Sequence, residues 1–219
     1  MTRPTFFALA TTLAVVAGVA CSDIVSPTRN QRYDWRLVVN YDSAGLPFSD
    51  TLTFHWPRTH LPVKIWVEDQ FDMPSHVREG IKLWRSAFLY GEWDGVVVSD
   101  SSTADVIVRT VQPPPQAIPG RVPSCVGATD VDTVNNRHQL RIPIRMYVFP
   151  SIPGAGDLDR CLRIVAAHEL GHSMGLFQHS PDSTDLMYGV PNLDGLSARD
   201  IGTALNAYHF QADMEPVRP

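Results

Sequence analysis

Two imidazoles and a carboxylate are set within five positions in His168-Glu169-Leu170-Gly171-His172, and on a helix that spacing has chemical consequences. Four residues of α-helix turn through about 400°, so His168 and His172 would lie roughly 40° apart on one face and one turn apart, as two positions around a tetrahedral metal ion require. Glu169 sits beside that face. It cannot easily ligate the same ion from the same turn, but it can take a proton from a water activated there. The chemistry expected is zinc-assisted hydrolysis. The alternative is a surface helix that merely carries two histidines. Against it, Cys161, Val165, His168 and His172 follow a 4, 3, 4 spacing, so the histidines continue the stripe a helix turns toward its core, where imidazoles need partners.

Gly175 follows His172 by three residues, where a glycine can take the left-handed conformation that ends a helix and turns the chain back. The chain then delivers His179 and the turn-rich Ser180-Pro-Asp-Ser-Thr-Asp-Leu-Met187-Tyr188-Gly189. This segment resembles the metzincin metallopeptidases, and among them the matrixins, whose pattern H-E-x-x-H-x-x-G-x-x-H precedes a methionine-containing turn beneath the zinc. The resemblance implies one catalytic Zn2+ held by His168, His172 and His179, with Glu169 as general base and Gly175 ending the helix. It also implies that Met187 and Tyr188 floor the site and border the pocket beyond the cleaved bond. In one respect the chain departs from the pattern: the third histidine is expected where Gln178 stands, and His179 arrives one residue late. An amide oxygen is a poor zinc ligand beside an imidazole, and a loop absorbs one extra residue at little entropic cost. The spacing from His179 to Met187 is that of the family, which localises the insertion between Gly175 and His179. Asp182 and Asp185 stand as oxygen-bearing rivals for the third position.

Such a site needs a helix for the motif and a scaffold around it. Tyr33 to Asn40 and Thr51 to Trp56 alternate apolar and polar residues around Ser43-Ala-Gly-Leu-Pro47, which predicts a hairpin. Leu61 to Val67 alternates again and predicts the first strand of a catalytic sheet. Val77, Ile81, Trp84 and Phe88 fall at helical spacing between Pro74 and Gly91, which predicts a long helix over 74–90. The β-branched runs Val96 to Ser99 and Ala104 to Arg109 predict strands. Beyond a proline-rich loop, so do Cys125 to Val131 and Leu140 to Phe149, with a turn at Asn135-Asn136 between them. Gly154 and Gly156 lead into the motif helix from Leu158, and Ser197 caps a last helix over 196–208. The fold class expected is α+β: a twisted mixed sheet with a first long helix, a zinc-binding helix and a C-terminal helix. That order is similar to a matrixin catalytic domain over roughly 52–210, and Trp84, Ala104-Asp105 and Leu196-Ser-x-x-Asp200-Ile are matrixin-like as well. The boundaries expected are a signal over 1–20, a tether and hairpin over 21–51, the catalytic domain over 52–213 and a tail over 214–219.

The 219 residues are 44% apolar and 19% charged with a net charge of −5, the balance of an ordinary globule with no basic patch for nucleic acid. Residues 1–20 carry Arg3 and then an apolar run from Phe6 to Ala20, too short to span a bilayer and suited to export. Ala17-Gly-Val-Ala-Cys21 resembles a bacterial lipoprotein signal, which implies acylation of Cys21, although Gly18 stands where leucine is usual. Plain cleavage near Ala20 is the alternative. The protein is thus expected outside the cytoplasm, lipid-anchored or secreted, touching a membrane only through such an anchor. Cys125 and Cys161 then remain, and an even pair in an exported chain predicts a disulfide. Pro123-Ser-Cys125-Val-Gly also resembles the cysteine switch of matrixin propeptides, but that element precedes the catalytic domain. His138 near Asp130 and Asp132, and the acidic loop at Asp157 and Asp159, leave a second Zn2+ or a Ca2+ as open alternatives, without an EF-hand order of ligands. The partner expected is a protein or peptide substrate, met by a monomer. The rival class is a non-enzymatic surface lipoprotein with a structural zinc. It would more often close its site with a fourth ligand, commonly cysteine, and no cysteine follows Cys161.

Overall fold

The computed structural model of the protein describes residues 32–43, 46–111, 125–131, 138–150 and 158–218. The export signal, Cys21 and most of the expected tether lie outside these residues. So do the proline-rich loop, Asp132, the Asn135-Asn136 turn, Gly154, Gly156 and Asp157.

The first described element is a hairpin of β1 (Leu37–Ser43) and β2 (Leu46–Leu52), antiparallel with Leu37 opposite Leu52. Its pairing lies closer to the turn than the alternation of the sequence suggests. Tyr33, Trp35, Phe54 and Trp56 leave the ladder and bury their rings in the core instead, where such large apolar surfaces contribute most.

β3 (Val63–Val67), α1 (Met73–Arg85), β4 (Gly95–Val98), β5 (Val106–Thr110), β6 (Val126–Asp130), β7 (Gln139–Arg141) and β8 (Ile144–Phe149) follow. The main sheet has the order β4-β3-β5-β8-β6; its first four strands are parallel, and β6 runs antiparallel to β8 as an edge, with Ala128 opposite Tyr147. The single strand expected over 140–149 is divided at Pro143, which has no N–H to offer a ladder. β7 turns aside to pair in parallel with β9 (Glu215–Val217). Residues 214–218 are therefore folded onto the protein where a tail is expected: Met214 is buried, and Arg218 bonds the carboxylate of Asp105 at 2.6 Å. The first helix ends at Arg85 rather than Tyr90, because its amide bonds tighten to i+3 turns through Phe88.

The motif helix is α2 (Leu158–Ser173), and every residue from Ile164 to Ser173 is buried. It has no solvent stripe over that length because α1, the sheet and the segments after it cover all its sides. Two tryptophans bond its carbonyls: Trp84 Nε1–H donates to Ala167 O at 2.7 Å and Trp56 Nε1–H to Ser173 O at 2.9 Å. The second of these satisfies one of the acceptors a helix C-terminus leaves open. α3 (Ala198–His209) closes the domain behind a complete capping box of Ser197 and Asp200. Among the described residues no helix is long and apolar enough to cross a membrane.

Candidate active site

The C-terminus of α2 sets the first part of the geometry. Gly175 has φ +111°, Leu176 N–H bonds Gly171 O at 3.1 Å and Gly175 N–H bonds His172 O at 3.0 Å, the paired bonds of a Schellman motif. A side chain cannot be accommodated there, since a Cβ on Gly175 would lie 2.1 Å from Phe54 O. The turn has a second role. It places Leu176 O 2.6 Å from His172 Nδ1, and a carbonyl can only accept, so Nδ1 carries the proton and Nε2 keeps its lone pair.

His168 is set in the same way from another direction. Its Nδ1 lies 2.8 Å from Leu186 O, in the methionine turn, and the turn is held by Asp200, whose carboxylate accepts from Leu186 N at 2.8 Å and Met187 N at 3.3 Å. Met187 is fully buried and packs against Gly171, the residue before His172. Tyr188 follows, half-buried, with its N–H on Asp185 O at 3.3 Å.

His168 Nε2 and His172 Nε2 are 3.1 Å apart, and His172 Nε2 and His179 Nε2 are 3.2 Å apart. His168 and His172 both carry their proton on Nδ1 and present lone pairs at Nε2, so these two nitrogens cannot hydrogen-bond each other, and their approach is repulsive unless a cation lies between them. Tetrahedral zinc with Zn–N of 2.0–2.1 Å separates its ligand atoms by about 3.3 Å, so these residues fit the ion. Among the described residues no fourth His, Cys, Asp or Glu joins the three. Burial pushes His168 down to about 4 and His172 down to about 3, the latter helped by its neighbouring imidazoles, and burial lowers His179 as well. All three therefore stay in the neutral form that binds metal at neutral pH.

The other residues of the loop point elsewhere. Gln178 donates its amide to Arg36 O at 3.1 Å, and Phe177 N–H bonds Trp35 O at 2.8 Å, so the extra loop residue is taken up against the segment before β1. Arg199 binds Asp185 at 2.8 Å and Asp182 at 2.6 Å, and Ser180 adds a short contact to Asp185. Neither aspartate belongs to the histidine cluster.

Glu169 is buried. Its Oε2 accepts from Thr129 Oγ1 on β6 at 2.7 Å. Burial pushes its carboxyl up to about 7, with the Thr129 hydroxyl acting in the opposite sense. Cys125 and Cys161 form a disulfide with Cα atoms 5.8 Å apart, which ties the start of β6 to the first turn of α2. Cys125 is thus committed to a structural bridge and is not a switch ligand.

Sequence reasoning missed Thr129 as a partner of Glu169 and Asp200 as the brace of the methionine turn. Asp200 had a signal in its place three residues after Ser197, but that pattern announces only a helix start. Thr129 had none, because alternation shows that Gly127 and Thr129 share a face without showing what the face meets. Of the other histidines, His138 takes φ +55° and joins no cluster among the described residues.

The matrixin peptidase family model matches residues 126–202. That span begins at β6, takes in α2, the three histidines and the methionine turn, and ends at the fifth residue of α3. A comparison with curated proteins found no match.

Proposed function

Because the chain carries a matrixin-like metzincin catalytic domain, of a family of zinc metallopeptidases, we propose that it is a zinc-dependent endopeptidase in which His168, His172 and His179 hold the ion through Nε2 and Glu169 is the general base. The observation that carries the reading is the convergence of three imidazole Nε2 atoms, two of them held with their lone pairs free by Nδ1 bonds to carbonyls, with no fourth protein ligand among the described residues. A structural zinc site is normally closed by four protein ligands, whereas a catalytic one keeps a position open. Zinc bound there supplies Lewis acidity toward a water and toward the carbonyl under attack.

The chain's own residues do the rest. Glu169 takes the proton of the attacking water on its carboxylate and delivers it to the departing amine. Burial, which raises its carboxyl, favours its holding that proton between the two transfers. Among the described residues no strand pairs with the outer edge of β6, whose backbone N–H and C=O groups are those along which an extended peptide pairs as an added strand. Met187 supports the histidines from below, and Tyr188 borders the pocket beyond the scissile bond.

We further propose that the enzyme acts outside the cytoplasm as a monomer, anchored through an acylated Cys21 or released after cleavage near Ala20. Intact mass measurement of the mature protein separates the two by the presence or absence of acyl chains. The peptidase reading is tested by digesting casein with the purified protein: cleavage that a chelator abolishes and zinc restores supports it. Absence of cleavage from protein that has bound one zinc opposes it.

A further inference from the structure

Glu169 is 3% exposed, and what fixes its carboxylate comes from the edge strand, not from its own helix. Thr129 Oγ1 lies 2.7 Å from Glu169 Oε2 and 3.2 Å from Glu169 O, so one hydroxyl reaches both the side chain and the backbone of the same residue. Two positions earlier on the same face, Gly127 leaves the space the carboxylate fills: a Cβ there would lie 2.1 Å from Oε1 and 2.4 Å from Cγ. Oε2 is thus bonded, and Oε1 lies over bare backbone with no hydrogen bond from a described residue. β6 is itself fixed at two points, by its ladder to β8 and by the disulfide one residue before it.

We propose that Thr129 is the positioning residue of the general base. Its hydroxyl holds Oε2 so that Oε1 alone is presented to the proton being transferred, and the strand that receives the substrate backbone also sets the base. The inference rests on the reading of Glu169 as the base. A carboxylate released from this contact keeps its chemistry but loses its aim, and misplacement on the order of 1 Å costs about 100-fold in rate.

The test compares Thr129→Val, which keeps the shape and removes the donor, with Thr129→Ser, which restores it. Expected for Thr129→Val is a kcat lower by about 10- to 100-fold on a peptide substrate with KM little changed, and one zinc per chain retained. Thr129→Ser should recover most of the rate. A second readout needs no activity: in the zinc-free protein Thr129→Val should lower Tm by about 2–6 °C in the wild-type background and by much less in a Glu169→Ala background. Wild-type kcat in Thr129→Val overturns the proposal. So does failure of serine to rescue, zinc loss, or a rise in KM at constant kcat, each of which marks a role confined to the architecture of the strand. If the wild-type protein itself shows no zinc-dependent cleavage, the peptidase reading is what has failed, and the melting comparison still decides whether Thr129 holds Glu169.

Discussion

Replacing Gly175 with alanine should damage the metal site through the helix end, without touching a proposed ligand. An L-residue in the left-handed region costs about 1–2 kcal/mol, and the position has φ +111°. The new Cβ would also sit 2.1 Å from Phe54 O and 3.0 Å from Phe54 C. That contact is with backbone in the buried core, which no rotamer change can relieve, and overpacking of this kind adds about 1–3 kcal/mol. A total of about 3 kcal/mol corresponds to a fall in Tm of about 6–12 °C for a domain of this size. The second effect is on zinc. Relieving the clash moves Leu176, whose carbonyl fixes the tautomer and angle of His172 from 2.6 Å, and loss of such a partner weakens metal binding by about 10- to 100-fold. Thermal unfolding followed by circular dichroism in the presence of a chelator reads the first effect, and competition with a chromophoric chelator reads the second. Gly175→Ala protein with the wild-type Tm and zinc affinity would refute the link from the Schellman turn to His172.

His179→Ala should lose stoichiometric zinc, whereas Gln178→Ala and Asp185→Ala should keep it, with Asp185→Ala less stable because Arg199 loses its buried partner; metal analysis of the three proteins decides, and zinc retained only by His179→Ala would undo the ligand set. Reducing the Cys125–Cys161 bridge, which spans 36 residues of sequence, should lower stability by about 4 kcal/mol from restored chain entropy, measured by urea unfolding with and without a reductant. The zinc-free protein should lose stability as pH falls below 6.5. There the unfolded chain protonates His168 and His172 while the folded chain, with values of about 4 and 3, does not. Glu169 acts in the opposite sense, since its raised value keeps a proton on the folded state between about 4.5 and 7. Over these three groups the net uptake on unfolding near pH 5.5 is about one proton, or about 1 kcal/mol per pH unit, and His179, also lowered by burial, adds to it in the same sense. Denaturant midpoints across pH 5 to 7 without zinc check the slope, and a flat or inverted profile would contradict it.

The residues bearing the chemistry were the most legible part of the sequence, because the i, i+4 histidines, the adjacent glutamate and the glycine stop are local signals. Reading them as one inward stripe was too narrow: α2 is buried on every side from Ile164 to Ser173, which a single-face pattern cannot convey. The strand order of the main sheet was not legible from alternation, since β5 and β8 pair across 38 positions, as Val106 opposite Ile144. Nor was the register that brings Thr129 to Glu169. The division at Pro143 was available in principle, yet the apolar run on both sides of it reads as one strand until β9 supplies β7 with a partner. The late histidine is accounted for only in three dimensions, where Arg36 and Trp35 receive the extra loop residue.

The most direct test of the central claim is made on Glu169→Gln, with zinc content and peptide cleavage measured on the same preparation. An isosteric amide leaves His168, His172 and His179 untouched but cannot accept the proton. Glu169→Gln should hold one zinc per chain, as the wild type does, and cleave at a rate lower by about 100-fold or more. Glu169→Gln protein that holds zinc and cleaves at the wild-type rate would contradict it.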